Sequence, residues 1–207
     1  MKKIAFIFPG QGSQSAGMGK DLFDNSSAAK NVYDVADETL GKKISKICFE
    51  GPDEDLKLTI NAQSAIVATS IAALEAFKEA CPDIKPSAAL GHSLGEYCAM
   101  YCANVMDLKT TMKAIQKRSE LMDEATKTTK GTMAAILGAT MENINSSIEE
   151  ASALGLVQVA NYNDPTQIVI TGEVEAVNKA SELIKEKGAK RVVPLAVSGG
   201  FHSKLMN

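Results

Sequence analysis

Gly91-His92-Ser93-Leu94-Gly95-Glu96 is the most informative stretch of this chain. It follows a short apolar run, Ala88-Ala89-Leu90, and opens a segment of helix formers and small residues over 96–103. A serine with a glycine two residues to either side, at a strand-to-helix junction, is the pattern of a nucleophile elbow. The reasons are steric. A tight turn pushes the serine hydroxyl out of the sheet edge, and a Cβ at Gly91 or Gly95 would crowd the neighbouring strand or helix. The N-terminus of the following helix turns free N–H groups and a positive dipole end toward the space above Ser93, where an oxyanion would form. Alone, so short a pattern is weak. An ordinary strand–turn–helix with a capping serine has the same spelling, and only context separates the two.

With 207 residues the chain can form one domain, or one domain carrying a small inserted one. Apolar and charged fractions of 45% and 23% are those of an ordinary globule. A net charge of −3 with no basic run argues against nucleic acid as a partner. Lys2-Lys3 and the apolar residues 4–8 imitate the start of a signal peptide, but the run stops at Pro9, which argues against export. No apolar stretch reads as long enough to span a bilayer, so no membrane contact and a cytoplasmic location are expected. Cys48, Cys81, Cys98 and Cys102 lack the density of a disulfide framework. No histidine near Cys98 and Cys102 suggests a metal site, and they read as small core residues in a reducing cytosol. No metal or nucleotide signature is present.

Residues 4–8 read as a fully buried parallel strand ended by Pro9-Gly10. Gly10-Gln11-Gly12-Ser13-Gln14 is close to a phosphate loop, but Ser15 stands where G-x-G-x-x-G needs glycine, and the Gly-Lys-Ser/Thr of a P-loop is missing. What remains is a plain turn or a glycine loop at the carboxyl end of a strand, the normal place for a site in an open α/β sheet. Gln11 offers an amide there. Residues 21–60 read as short helices, with a turn at Gly51-Pro52-Asp53. A long helix over 62–80 carries Ile66, Val67, Ile71 and Leu74 toward the sheet, and Gln63 near its start reads first as a helix-end hydrogen-bonding residue. Asp107 caps a helix running to about 125, with a stripe of Met112, Ile115, Leu121 and Met122. Arg118 breaks that stripe. It lies three after Ile115 and four before Met122, so it must snorkel, pair with a buried carboxylate, or bind an anionic ligand. Periodicity alone slightly favours the structural readings.

From Thr132 the pattern changes. Strands are expected over 133–137, 156–160, 168–171 and 191–197, and helices over 141–153 and 173–187, with a turn at Asn161-Tyr162-Asn163-Asp164-Pro165. That order is the β-α-β-β-α-β of a ferredoxin-like unit, which fits as an insertion. Ser198-Gly199-Gly200-Phe201-His202-Ser203 follows. Of the two histidines, His92 sits inside the elbow, where its ring is poorly placed to reach the neighbouring hydroxyl. A lone loop histidine is commonly a surface residue, but His202 is the only credible base for Ser93.

Phe8-Pro9-Gly10-Gln11-Gly12-Ser13-Gln14, Gly91-His92-Ser93-Leu94-Gly95-Glu96-Tyr97 and Phe201-His202-Ser203 occur in order around that unit. Together they resemble the malonyl-CoA:acyl-carrier-protein transacylases of bacterial type II fatty acid synthesis, relatives of the acyltransferase domains of polyketide synthases. The resemblance runs through the whole chain. It implies an α/β-hydrolase-like parallel-sheet core over 1–128 and 197–207, incomplete at its C-terminus, with a ferredoxin-like subdomain inserted at 129–196. It implies Ser93 as the acyl-carrying nucleophile, His202 as its base, and the N–H groups of Gln11 and Leu94 as the oxyanion hole. Arg118 would clasp the malonyl carboxylate, and Gln63, Asn163 and Gln167 would line the pocket. The bulk of Phe201 beside the histidine leans toward malonyl over methylmalonyl.

The implied substrates are malonyl-CoA and the phosphopantetheine thiol of acyl carrier protein, with carrier protein as partner and no bound cofactor. Two other functions stay open on the sequence: a serine hydrolase or thioesterase, and an inactive fragment that only docks carrier protein. The family's catalytic unit continues well past its histidine and orients it with a backbone carbonyl, whereas this sequence ends at Asn207. The resemblance therefore implies a truncated product or a second polypeptide supplying the rest, and leaves the activity of 1–207 alone open.

Overall fold

The computed structural model describes residues 3–197 and 199–207; Met1, Lys2 of the basic pair and Ser198 of the glycine loop lie outside the described residues. The chain forms two compact units, Met1–Glu120 and Leu121–Asn207.

In the first unit β1 (Ala5–Phe8) and β2 (Ala88–Gly91) pair in parallel, from Ala5 opposite Ala88 to Phe8 opposite Gly91. Between them run α1 (Lys20–Asn25), α2 (Ser27–Leu40), α3 (Ile44–Glu50), α4 (Asp53–Lys57) and α5 (Thr59–Ala80). After β2 come α6 (Gly95–Cys102) and α7 (Leu108–Thr128), whose residues to Glu120 belong to this unit. The core gathers Phe8, Tyr33, Ile44, Leu56, Ile66, Ile71, Leu94, Met112 and Ile115. Alanines at 62, 65, 68 and 72 of α5 are fully buried, and their small side chains let other elements approach the helix closely.

Three expectations need correction here. β1 is not fully buried: Ile7 is 76% exposed, and Leu90, its register partner on β2, is 52% exposed. Successive side chains of a strand face opposite ways, and among the described residues β1 and β2 form a two-stranded sheet, so one face is left open. The α5 helix, at 22 residues with a mean hydropathy of 1.2 over its most apolar window, is long and apolar enough to cross a bilayer by length and composition. Its many Ala, Ser and Thr residues look mild one by one, yet sum to that value. Of that window 56% is buried inside the protein. On α7, Asp107 Oδ1 accepts from Thr110 N at 2.7 Å, as its capping role requires. Leu121, placed on the buried stripe from the sequence, is 50% exposed.

The second unit contains β3 (Gly131–Leu137), α8 (Met141–Ala151), β4 (Val157–Asp164), β5 (Gln167–Glu173), α9 (Val174–Glu186) and β6 (Arg191–Pro194). Its sheet has the order β4-β5-β3-β6, every neighbouring pair antiparallel. Alternation along β3 feeds two cores. Ala134 and Ile136 face Ile144, Val177 and Ile184 of the helices, while Met133 and Ala135 pack with Val169 and Phe201. The turn expected at 161–165 is mostly strand. Register shifts between Val159/Asn161 and Tyr162/Asp164 carry β4 through these polar residues to Asp164. The last strand ends at Pro194, short of the expected residue 197, although Leu195 N still donates to Met133 O at 2.9 Å. A Cβ on Gly131 would lie 2.2 Å from Gly200 N, so the chain enters β3 directly beside the loop that follows β6.

Candidate active site

The elbow forms as the spacing predicts. His92 N donates to Phe8 O at 3.1 Å, which ties the end of β2 to the end of β1. Ser93 then takes φ 53, a left-handed conformation that costs a non-glycine residue energy, and α6 begins at Gly95. The two flanking glycines are enforced by backbone. A Cβ on Gly91 would sit 1.9 Å from the carbonyl carbon of Gly95, and one on Gly95 would sit 2.5 Å from Phe8 O. Leu94 is fully buried in the core and anchors the turn from below, while Ser93 stays half-buried.

Arg118 of α7 reaches this turn. Its Nη2 donates to Ser93 Oγ at 2.9 Å, and its Nη1 donates to Gln63 Oε1. Gln63 is fully buried near the start of α5. The Tyr97 ring of α6 completes the cluster, its centroid 6.0 Å from Arg118 Cζ. Burial pushes the guanidinium pKa down, and Tyr97 and Glu96 oppose that shift. Gln63 and Ser93 are both neutral partners. A half-buried cation held this way is a strong attractor for a carboxylate. In the sequence Tyr97 stands only as the last residue of the elbow motif. Its spacing, one helical turn beyond Ser93, was the available signal, and the arrival of Arg118 opposite it was not readable.

The Gln11 loop lies beside the elbow. A Cβ on Gly10 would meet His92 Nδ1 at 2.4 Å, so the His92 ring rests against this loop. The loop is braced internally, with Ser13 Oγ donating to Gly10 O at 3.0 Å and Gly12 N donating to Gln14 Oε1 at 2.9 Å. Gln11 itself is half-buried.

The other candidates belong to the second unit. Asn163 Nδ2 donates to Gln167 Oε1 at 3.2 Å beside the turn that joins β4 to β5. Phe201 is buried against Met133, Ala135 and Val169, and its carbonyl accepts from Thr171 Oγ1 at 2.7 Å. Ser203 Oγ donates to Gly200 O and accepts from Leu205 N at 3.1 Å. Between these two anchored neighbours His202 is exposed at φ 57. Among the described residues only Ser93, Asn104 and His202 hold a positive φ without being glycine. Also among the described residues, no group of three or more His, Cys, Asp or Glu side chains could hold a metal ion.

Fold and site define an α/β protein with a serine elbow set against a half-buried arginine. The chain belongs to the acyl transferase domain family, whose model matches residues 5–207. It is 52% identical over 207 residues to the malonyl CoA-acyl carrier protein transacylase of Bacillus subtilis, covering 100% of this chain and 65% of that relative. With the Haemophilus influenzae transacylase of the same name it shares 41% over 206 residues, covering 66% of that relative. Among solved structures, the transacylase from Clostridium perfringens superposes with a TM-score of 0.92 at 40% identity, over 99% of this chain and 64% of that one. A type II PKS acyl-carrier protein in complex with its malonyl-transacylase gives 0.94 at 38% identity, over 99% and 66%. The chain thus spans 65% of the length of the first of these curated relatives.

Proposed function

We propose that this chain transfers a malonyl group from malonyl-CoA to the phosphopantetheine thiol of an acyl carrier protein through an ester on Ser93. The observation that carries this reading is the half-buried Arg118 guanidinium bonded to the elbow serine. It supplies a carboxylate receptor within reach of a nucleophile. Ser93 Oγ attacks the thioester carbonyl while His202 takes its proton. The oxyanion is held by the N–H groups of Gln11 and Leu94, in keeping with the place of the Gln11 loop beside the elbow. Collapse breaks the C–S bond, and the CoA sulfur leaves with the proton from His202. The carrier thiol then reverses these steps in a ping-pong cycle. Arg118 grips the free malonyl carboxylate, Gln63 holds Arg118, Asn163 and Gln167 line the acyl pocket, and Phe201 limits its size.

Residues 129–196 are a ferredoxin-like insertion in an α/β-hydrolase-like core of 1–128 and 197–207. The strand order β4-β5-β3-β6 and the contact of Gly131 with Gly200 support this division. Carrier protein as partner is supported by the complex described for a relative, and a cytoplasmic location goes with this substrate pair. The test is the intact mass after brief exposure to malonyl-CoA. A stable malonyl adduct on Ser93 is expected. Rapid release of free malonate would instead mean hydrolysis, and no adduct would leave a chain that only docks carrier protein.

A further inference from the structure

We infer that Tyr97 is a positioning residue for Arg118: its ring holds the guanidinium where an anionic acyl group meets the elbow. This inference rests on the function proposed above and names a determinant of its selectivity.

Arginine has a long side chain with many rotamers, so a productive guanidinium must be fixed from more than one direction. Gln63 and Ser93 accept from Nη1 and Nη2, which pins the edge of the group. Hydrogen bonds at one edge leave the plane free to tilt. The Tyr97 ring, with its centroid 6.0 Å from Cζ, lies at the reach of a cation–π contact and supplies a second restraint. Tyr97 packs against the core cluster of the first unit, so its ring is itself held. It also sits one turn beyond Ser93 on the helix that grows out of the elbow, which ties arginine and nucleophile to one rigid element. A ring face attracts the cation without forming an ion pair, so the charge remains available to a carboxylate. An acidic residue in the same place would hold Arg118 more tightly and consume it. Glu96, adjacent in sequence, is exposed.

The test compares Tyr97→Phe, Tyr97→Leu and Arg118→Ala for Ser93 loading from malonyl-CoA and acetyl-CoA. Tyr97→Phe keeps the ring and should load both as the parent does. Tyr97→Leu should need about tenfold more malonyl-CoA for half-maximal loading, with the maximal rate and acetyl loading nearly unchanged, in line with a desolvated cation–π contact. Equal losses for both acyl groups, or an unchanged malonyl preference, would overturn the inference. Thermal melts guard against misfolding, and Tyr97→Met provides a second ring-free side chain should Leu unfold the protein.

A readout independent of loading is the Arg118 side-chain nitrogen spectrum, assigned through Arg118→Lys. Resolved, slowly rotating Nη signals are expected in the parent and in Tyr97→Phe, and averaged ones in Tyr97→Leu. If the parent loads neither acyl group, the transacylase reading fails by itself. The spectrum then decides for Tyr97, and an unchanged Arg118 signal in Tyr97→Leu would reject it.

Discussion

Arg118 Nη2 lies 2.9 Å from Ser93 Oγ, although the two residues are 25 positions apart and on different elements. The serine comes from a strained turn between β2 and α6, and the arginine from the middle of α7. Their contact sets a half-buried cation against the elbow hydroxyl, the geometry on which the proposed selectivity for an acidic acyl group rests.

Replacing Ser93 by Ala should abolish covalent loading and leave the fold intact, because the half-buried hydroxyl is not a core side chain. Intact mass after malonyl-CoA, together with a circular dichroism melt, checks both halves. A malonylated Ser93→Ala protein would place the nucleophile elsewhere.

Arg118→Ala should lower malonyl loading by about ten- to a hundredfold while acetyl loading holds or rises. That range follows from the roughly 1.5–3 kcal/mol net value of hydrogen bonds to a charged group. Competition between the two CoA esters reads the ratio directly. Parallel losses would make Arg118 a structural residue.

His202→Ala should slow loading by about 10²- to 10⁴-fold, the usual contribution of general-base assistance. The melting temperature should barely move, since the ring is exposed and its φ of 57 is strained in any case. Single-turnover loading of the parent and the variant from malonyl-CoA gives the ratio, and an unchanged rate would remove His202 from the reaction.

Gly91→Ala and Gly95→Ala should both cost stability, by at least about 3 kcal/mol, because the new Cβ meets backbone and not a movable side chain. Gly12→Ala has open space around its Cβ position and carries only the strain of its positive φ, so it should cost less. Urea unfolding of the three variants gives the order, and a mild Gly91→Ala would mean that the elbow can relax.

Alkaline pH should destabilise the first unit. Burial pushes the Cys48 and Cys98 thiols up to about 12, and burial raises the Tyr33 phenol as well. The folded state therefore keeps protons that the unfolded chain releases above about pH 8.5. Stability is full below that pH and falls as pH rises toward 12, by about 1.4 kcal/mol per pH unit for each thiol. Urea midpoints between pH 8 and 10.5 should decline, and Cys48→Ala with Cys98→Ala should flatten the decline. At pH 8 a thiol reagent should label half-buried Cys81 well before Cys48 or Cys98.

Local spelling alone determined the elbow, the Asp107 cap and the β-α-β-β-α-β order of the second half. Each depends on neighbours within a few residues: glycine spacing at Gly91 and Gly95, a capping carboxylate, and hydrophobic periods of 2 and 3.6. The same spelling put β1 wholly inside and ended β4 too early. Burial depends on what lies across a sheet, and a bulge depends on the partner strand, so neither is encoded in the segment itself. For Arg118 the chain could say only that a cation interrupts an apolar stripe. The tertiary structure adds the meeting of three helices, which sets Gln63, Ser93 and the Tyr97 ring around one guanidinium. Among the described residues no carboxylate is paired to it by hydrogen bond, which supports the proposed ligand-binding role over a plain ion pair.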